Sequence, residues 1–77
     1  MITIDFETQA ITKDPLDYPP EPVGVAIKID DSPSTYHRGT PLELQRLLAP
    51  FWDQPLLMHN ASFDLMVAAV HCGLRYP

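Results

Sequence analysis

Cysteine is all but missing from this sequence, with Cys72 the single thiol in 77 residues. One thiol supports neither an internal disulfide framework nor a cysteine-based zinc or iron–sulfur site within one chain. A reducing cytoplasm is therefore the default setting. Basic residues are scarce as well: five Lys and Arg stand against ten Asp and Glu, a formal net charge of −5. Non-specific affinity for phosphate backbones comes from basic side chains releasing counterions, so this chain alone has little of it. No apolar run approaches the ~20 residues of a membrane span. The N-terminal MITIDFETQA has neither the basic segment nor the apolar stretch of a signal peptide, and no membrane partner is expected. Length leaves room for one small domain, residues 1–77, whose core only narrowly offsets chain entropy. At 45% apolar and 19% charged, the composition is that of neither a disordered tail nor a coiled coil.

What is plentiful is proline, nine residues against a usual ~5%. Four of them, Pro15, Pro19, Pro20 and Pro22, fall within KDPLDYPPEP and make it a stiff loop. Around that loop the pattern predicts alternating strands and helices. Ile2 and Ile4 alternate with Thr3 and Asp5 in a first strand, and Val23, Val25, Ile27 and Ile29 share one face of a second. Asp31, Ser32 and Pro33 turn the chain into a short third strand over 34–38. Thr40, Pro41 and Glu43 stand at N-cap, N1 and N3 of a helix, with Leu44, Leu47, Leu48 and Phe51 as its buried face and Pro50 as its stop. Leu56 to Met58 read as a strand covered on both faces. A second helix starts at Ala61 and ends at Gly73 as its left-handed cap.

Two polar clusters fall at strand ends and helix starts. Asp5 and Glu7, in IDFET, project to one side of a strand roughly 6 to 7 Å apart. One such pair is expected by chance among ten acids, and a solvated strand end is its ordinary account. In HNASFDL, Asn60 and Asp64 are four apart and share a face of the first helical turn. An N-cap and an acid complementing the helix dipole are the ordinary accounts there. The combination says more than either part. Neighbouring parallel strands would bring Asp5, Glu7 and Asp64 to one crevice at their carboxyl ends. Such carboxylates repel one another unless cations intervene, and oxygen ligands favour Mg2+ or Mn2+ over zinc.

With these residues in view, the chain resembles the DEDD nucleases. D-x-E in IDFET is similar to their first exonuclease motif, and HNASFD to their second. The resemblance is closest to the proofreading domains of bacteriophage family A DNA polymerases, and it spans Met1 to about Gly73. It implies an α/β, ribonuclease H-like fold: a mixed sheet flanked by helices, ending here after the second-motif helix. It also implies 3′-5′ exonuclease activity on single-stranded DNA by a two-metal mechanism. Asp5, Glu7 and Asp64 would hold the two Mg2+ or Mn2+ ions, and Thr8, Asn60 and Phe63 would hold the terminal nucleotide. The remainder of a polymerase chain would be the partner. The family's third motif, Tyr or His with an aspartate a few residues on, is absent. Only Pro77 follows Tyr76, so Tyr76 cannot take that part. A fragment with little activity of its own is the expectation, and a non-catalytic interaction module with the same fold is the alternative.

Other chemistry-bearing residues fit quieter roles. His71 and Cys72 are adjacent and would point about 100° apart on a helix, a poor geometry for a nucleophile pair. Cys72 reads as a small buried helix-end residue and His37 as part of an exposed strand; His59 reads as a structural histidine, with an approach to the metals or the substrate as the alternative, and Trp52 as core or lid, with a base-stacking platform as the alternative.

Overall fold

The computed structural model describes residues 1–75; Tyr76, and with it the reading of that residue, lies outside them. Strand β1 (Ile2–Thr8) takes its form from period-two alternation, with Ile2, Ile4 and Phe6 buried and Asp5 and Glu7 exposed. It pairs antiparallel with β2 (Pro22–Ile29), so that Ile4 faces Ile27 and Phe6 faces Val25 on the inner side. The register shifts between Glu7 and Thr8, a bulge that ends regular pairing beside the first motif. A turn at Asp30, which has a positive φ of 49°, leads to β3 (Thr35–Arg38), antiparallel to β2.

Helix α1 (Pro41–Leu48) opens with the expected capping box. The Thr40 hydroxyl accepts from the Glu43 N–H at 3.2 Å, and the Thr40 N–H donates to the Glu43 carboxylate at 3.0 Å. That bond from the backbone holds the Glu43 carboxyl below its usual range. Pro50 ends the α-helix, which runs only to Leu48, but not the coiling of the chain. It lacks the N–H an α-helix would use, and the helix tightens into a 3₁₀ turn over Ala49–Phe51.

Strand β4 (Leu56–Leu57) is shorter than expected and pairs parallel with Ile2 and Thr3 of β1. Helix α2 (Ala61–His71) follows, and Gly73, at φ 66°, takes the left-handed conformation predicted for it. The sheet is mixed, in the order β3-β2-β1-β4. Its inner face forms one core with Leu44, Leu48, Trp52, Val67, Ala68 and Cys72. Full burial of a side chain such as Leu48 or Val67 contributes roughly 1.5–3 kcal/mol. The other face carries Thr3, Asp5, Glu7, Lys28, Tyr36 and Arg38, none of them buried.

The expected covering of β4 on both faces is thus corrected. Leu56, beside Ile2, turns inward and is partly buried, whereas Leu57, beside Thr3, is 52% exposed. The proline loop contains a 3₁₀ turn that the sequence reading missed, Pro15–Asp17, capped by the Asp14 side chain. Its neck is closed by a bond from the Gln9 N–H to the Glu21 carbonyl at 2.9 Å.

Candidate metal centre

Asp64 lies one turn into α2 and is 2% exposed, the one charged residue buried among those described. Strand β4 pairs β1 only as far as Thr3. Beyond it the Phe6 N–H donates to Asp64 Oδ1 at 3.4 Å, so the carboxylate stands where the sheet edge opens. Its other oxygen, Oδ2, is buried without a hydrogen-bond partner among the described residues. Burial pushes the Asp64 carboxyl above the usual carboxylate range, and the negative charge of Asp5 adds to this. The backbone N–H groups of Phe6 and Asn60, and the nearby His59, act in the opposite direction.

Asp5 and Asp64 are therefore within electrostatic reach of each other, as two of the three carboxylates of the expected crevice. Glu7 is differently engaged. Its carboxylate is the main cause holding the phenol of Tyr36 above the ordinary pKa of a tyrosine. Tyr36 crosses the outer face diagonally: its strand partner is Ala26, yet its ring rests over Gly24, the partner of Glu7. A Cβ on Gly24 would stand 2.6 Å from Tyr36 Cζ, so only glycine leaves room for the ring. Among the described residues, no three His, Cys, Asp or Glu side chains form a group that could hold a metal ion as they stand.

The residues expected around a terminal nucleotide fall close by in the chain but in different states. Asn60 sits at the N-cap position of α2, where its carbonyl accepts the Asp64 N–H at 2.9 Å. Its side chain makes no capping bond and is exposed, which removes the N-cap account of that side chain. Phe63 is partly buried against the core, and its ring meets Tyr18 of the proline loop at a centroid distance of 6.3 Å, tilted by 58°. The Thr8 hydroxyl donates to the Gln9 carbonyl at 2.9 Å.

Of the residues read as structural, Trp52 and Cys72 are buried in the core. His59 is exposed rather than packed and lies near Asp64, a correction to the structural reading. His71 is bonded through Nε2 to the Pro19 carbonyl at 2.6 Å, which ties the proline loop to α2. Tyr36 is the residue that sequence reasoning missed, and Gly24 in mid-strand was its only signal. The chain matches no family model, no curated protein and no solved structure.

Proposed function

We propose that this chain is the metal-binding part of a 3′-5′ exonuclease module with a ribonuclease H-like fold. The parent would be a DNA polymerase, hydrolysing the 3′-terminal phosphodiester of single-stranded DNA with two Mg2+ or Mn2+ ions. The observation that carries this reading is Asp64, a buried carboxylate with one oxygen unpartnered and a second acid, Asp5, within electrostatic reach. A buried, unsatisfied acid lowers stability, and such groups concentrate at functional sites. The donor set suits a hard divalent cation: carboxylate oxygens, with no thiolate beside them.

Asp5 and Asp64 would take the ions, and Glu7, on the same face of β1 as Asp5, would complete the set. Bound divalent ions supply the Lewis acidity that makes hydroxide available near neutral pH and offsets charge in an in-line phosphoryl transition state. The chain's own contribution is orientation. The Phe6 N–H fixes one Asp64 oxygen and leaves the other for a ligand. By the resemblance, the exposed Asn60 side chain, Phe63 and Thr8 would hold a terminal nucleotide beside these acids.

Titration calorimetry with Mn2+ tests the reading. Weak but saturable binding is expected in the wild type, lost in Asp5→Asn and in Asp64→Asn. Wild-type protein that takes up no Mn2+, or variants that bind as well as wild type, would overturn it. The alternative, an interaction module without catalysis, is favoured by one observation: Glu7 acts on the Tyr36 phenol, and it is not gathered with Asp5 and Asp64 into a three-ligand group among the described residues. Absence of Mn2+ binding in the wild type is the outcome that this alternative expects.

A further inference from the structure

The proline loop and one side of α2 carry two features that the nuclease reading leaves unused. Leu16 stands on the Pro15–Asp17 turn and is 91% exposed, more than any other large apolar side chain among the described residues. A lone exposed leucine is ordinary, but this one is held out on a braced turn. The Leu16 N–H donates to Asp14 Oδ1 at 2.9 Å, the Thr12 hydroxyl to Asp17 Oδ2 at 3.1 Å and the Asp14 N–H to the Thr12 hydroxyl at 3.3 Å. With the neck already closed by Gln9 and Glu21, the side chain is presented at little further cost in ordering. The second feature is an apolar cavity of about 230 Å3 lined by Leu56, Met58, Ala61 and Leu65. Ala61 and Leu65 are each two residues from Phe63, which meets Tyr18 of the loop, and so lie on the opposite side of α2. The knob, exposed as it is, fills nothing in its own chain.

We propose that these features are the two halves of one contact between copies of this chain: Leu16 of one copy enters the cavity of Leu56, Met58, Ala61 and Leu65 on the next. Size and charge both select this occupant. An apolar cavity of about 150 Å3 admits a benzene ring, so this one has room for a leucine side chain. The acids beside the knob, Asp14 and Asp17, outnumber the one base, Lys13, and the cavity offers them a surface of opposite character. Residues 54–63 contain no Asp or Glu, and no side chain caps the start of α2. The unpaired N–H groups of a helix start carry partial positive charge, and the exposed His59 precedes them. In a chain of net charge −5, an acidic knob can approach here without meeting another acid. Knob and cavity are different patches, so the contact is heterologous: association runs head to tail, into a ring if the rotation closes and a filament if it does not. The contact uses neither Asp5 nor Glu7 and is independent of the metal-binding reading.

Sedimentation equilibrium over a concentration series tests the proposal on wild type, Leu16→Asp, Ala61→Phe and Ala61→Glu. Leu16→Asp removes the knob from a position that already faces solvent. Ala61→Phe fills the cavity, and Ala61→Glu charges it with an acid that a helix start accepts, so it takes the place of Ala61→Phe if circular dichroism shows that variant unfolded. Wild type is expected to gain mass with concentration, and each variant to associate about 10- to 100-fold more weakly, the share of one buried leucine. The deciding arm is an equimolar mixture of Leu16→Asp, which keeps the cavity, with Ala61→Phe, which keeps the knob. It is expected to pair one to one and form nothing larger. Wild type that stays monomeric throughout the series overturns the proposal. So does a Leu16→Asp protein that associates as wild type does, or a mixture no heavier than its separate components.

Discussion

At the scale of single residues, Asp64 sets the balance between stability and ligand binding. Its folded pKa is raised, so protonation favours the folded state. That contribution is complete below the unfolded value of about 3.9 and is lost as pH rises through the higher folded value. Glu43 has the opposite sign, since its folded pKa is lowered. Its contribution is present above the unfolded value and disappears as pH falls through the folded one. Urea unfolding followed from pH 3 to 7 separates them. Asp64→Asn should remove a decline that wild type shows above pH 4 and should be about 1 kcal/mol more stable at pH 7. Saturating Mn2+ should stabilise wild type and leave Asp64→Asn unmoved. A second residue-scale expectation concerns Gly24. Gly24→Ala sets a Cβ against the Tyr36 ring and 2.9 Å from the His37 carbonyl, so it should lower stability by roughly 1–3 kcal/mol. Combining it with Tyr36→Ala should recover only part of the loss, because the carbonyl stays in place. Thermal unfolding of the three variants gives the comparison.

At the scale of elements, α1 depends on its ends and on two leucines. Thr40→Ala removes the capping hydroxyl and should lower stability by about 1 kcal/mol, and Leu48→Ala, at a fully buried position, by roughly 2–5 kcal/mol. In so small a domain the second change is expected to abolish cooperative unfolding as seen by circular dichroism. The legibility of the elements follows the same physics. β1, β2 and the start of α1 could be read because alternation and a capping box are local signals. Gly73 was readable for the same reason. The length and covering of β4 could not be read. Leu56 to Met58 are apolar in sequence, but partnering with β1 and the absence of cover over Leu57 depend on where other elements pack. Pro50 marked the end of the α-helix, which stops at Leu48, but not the 3₁₀ turn that follows, because a proline forbids one hydrogen bond and leaves a tighter coil open.

At the scale of the whole molecule, the candidate site was legible in its residue types and not in its assembly. Asp5 and Asp64 could be placed near each other from strand and helix order alone. The engagement of Glu7 with Tyr36 lay hidden, since it requires the register of three strands and a ring placed diagonally across them. The exonuclease proposal has its own global test. A longer chain carrying the third motif should degrade single-stranded DNA from the 3′ end with Mg2+. Asp5→Ala, Glu7→Ala or Asp64→Ala should each nearly abolish that activity, because members of such a set act together. Cys72→Ser should leave it almost unchanged. Degradation of an end-labelled oligonucleotide, resolved on a gel, reports all four, and activity surviving the three carboxylate changes would remove the nuclease reading.

The closed neck of the proline loop makes this segment a place where sequence can be exchanged cheaply. Gln9 and Glu21 are already joined through their backbones, so β1 and β2 meet whatever lies between them. Doubling the length of an insert there adds only about 0.6 kcal/mol of closure entropy. Foreign peptides grafted between Ala10 and Pro20 should therefore leave the strand register intact. They forfeit the tethers to α2 made by the Tyr18 ring on Phe63 and the Pro19 carbonyl on His71, and the loop becomes a display position beside α2.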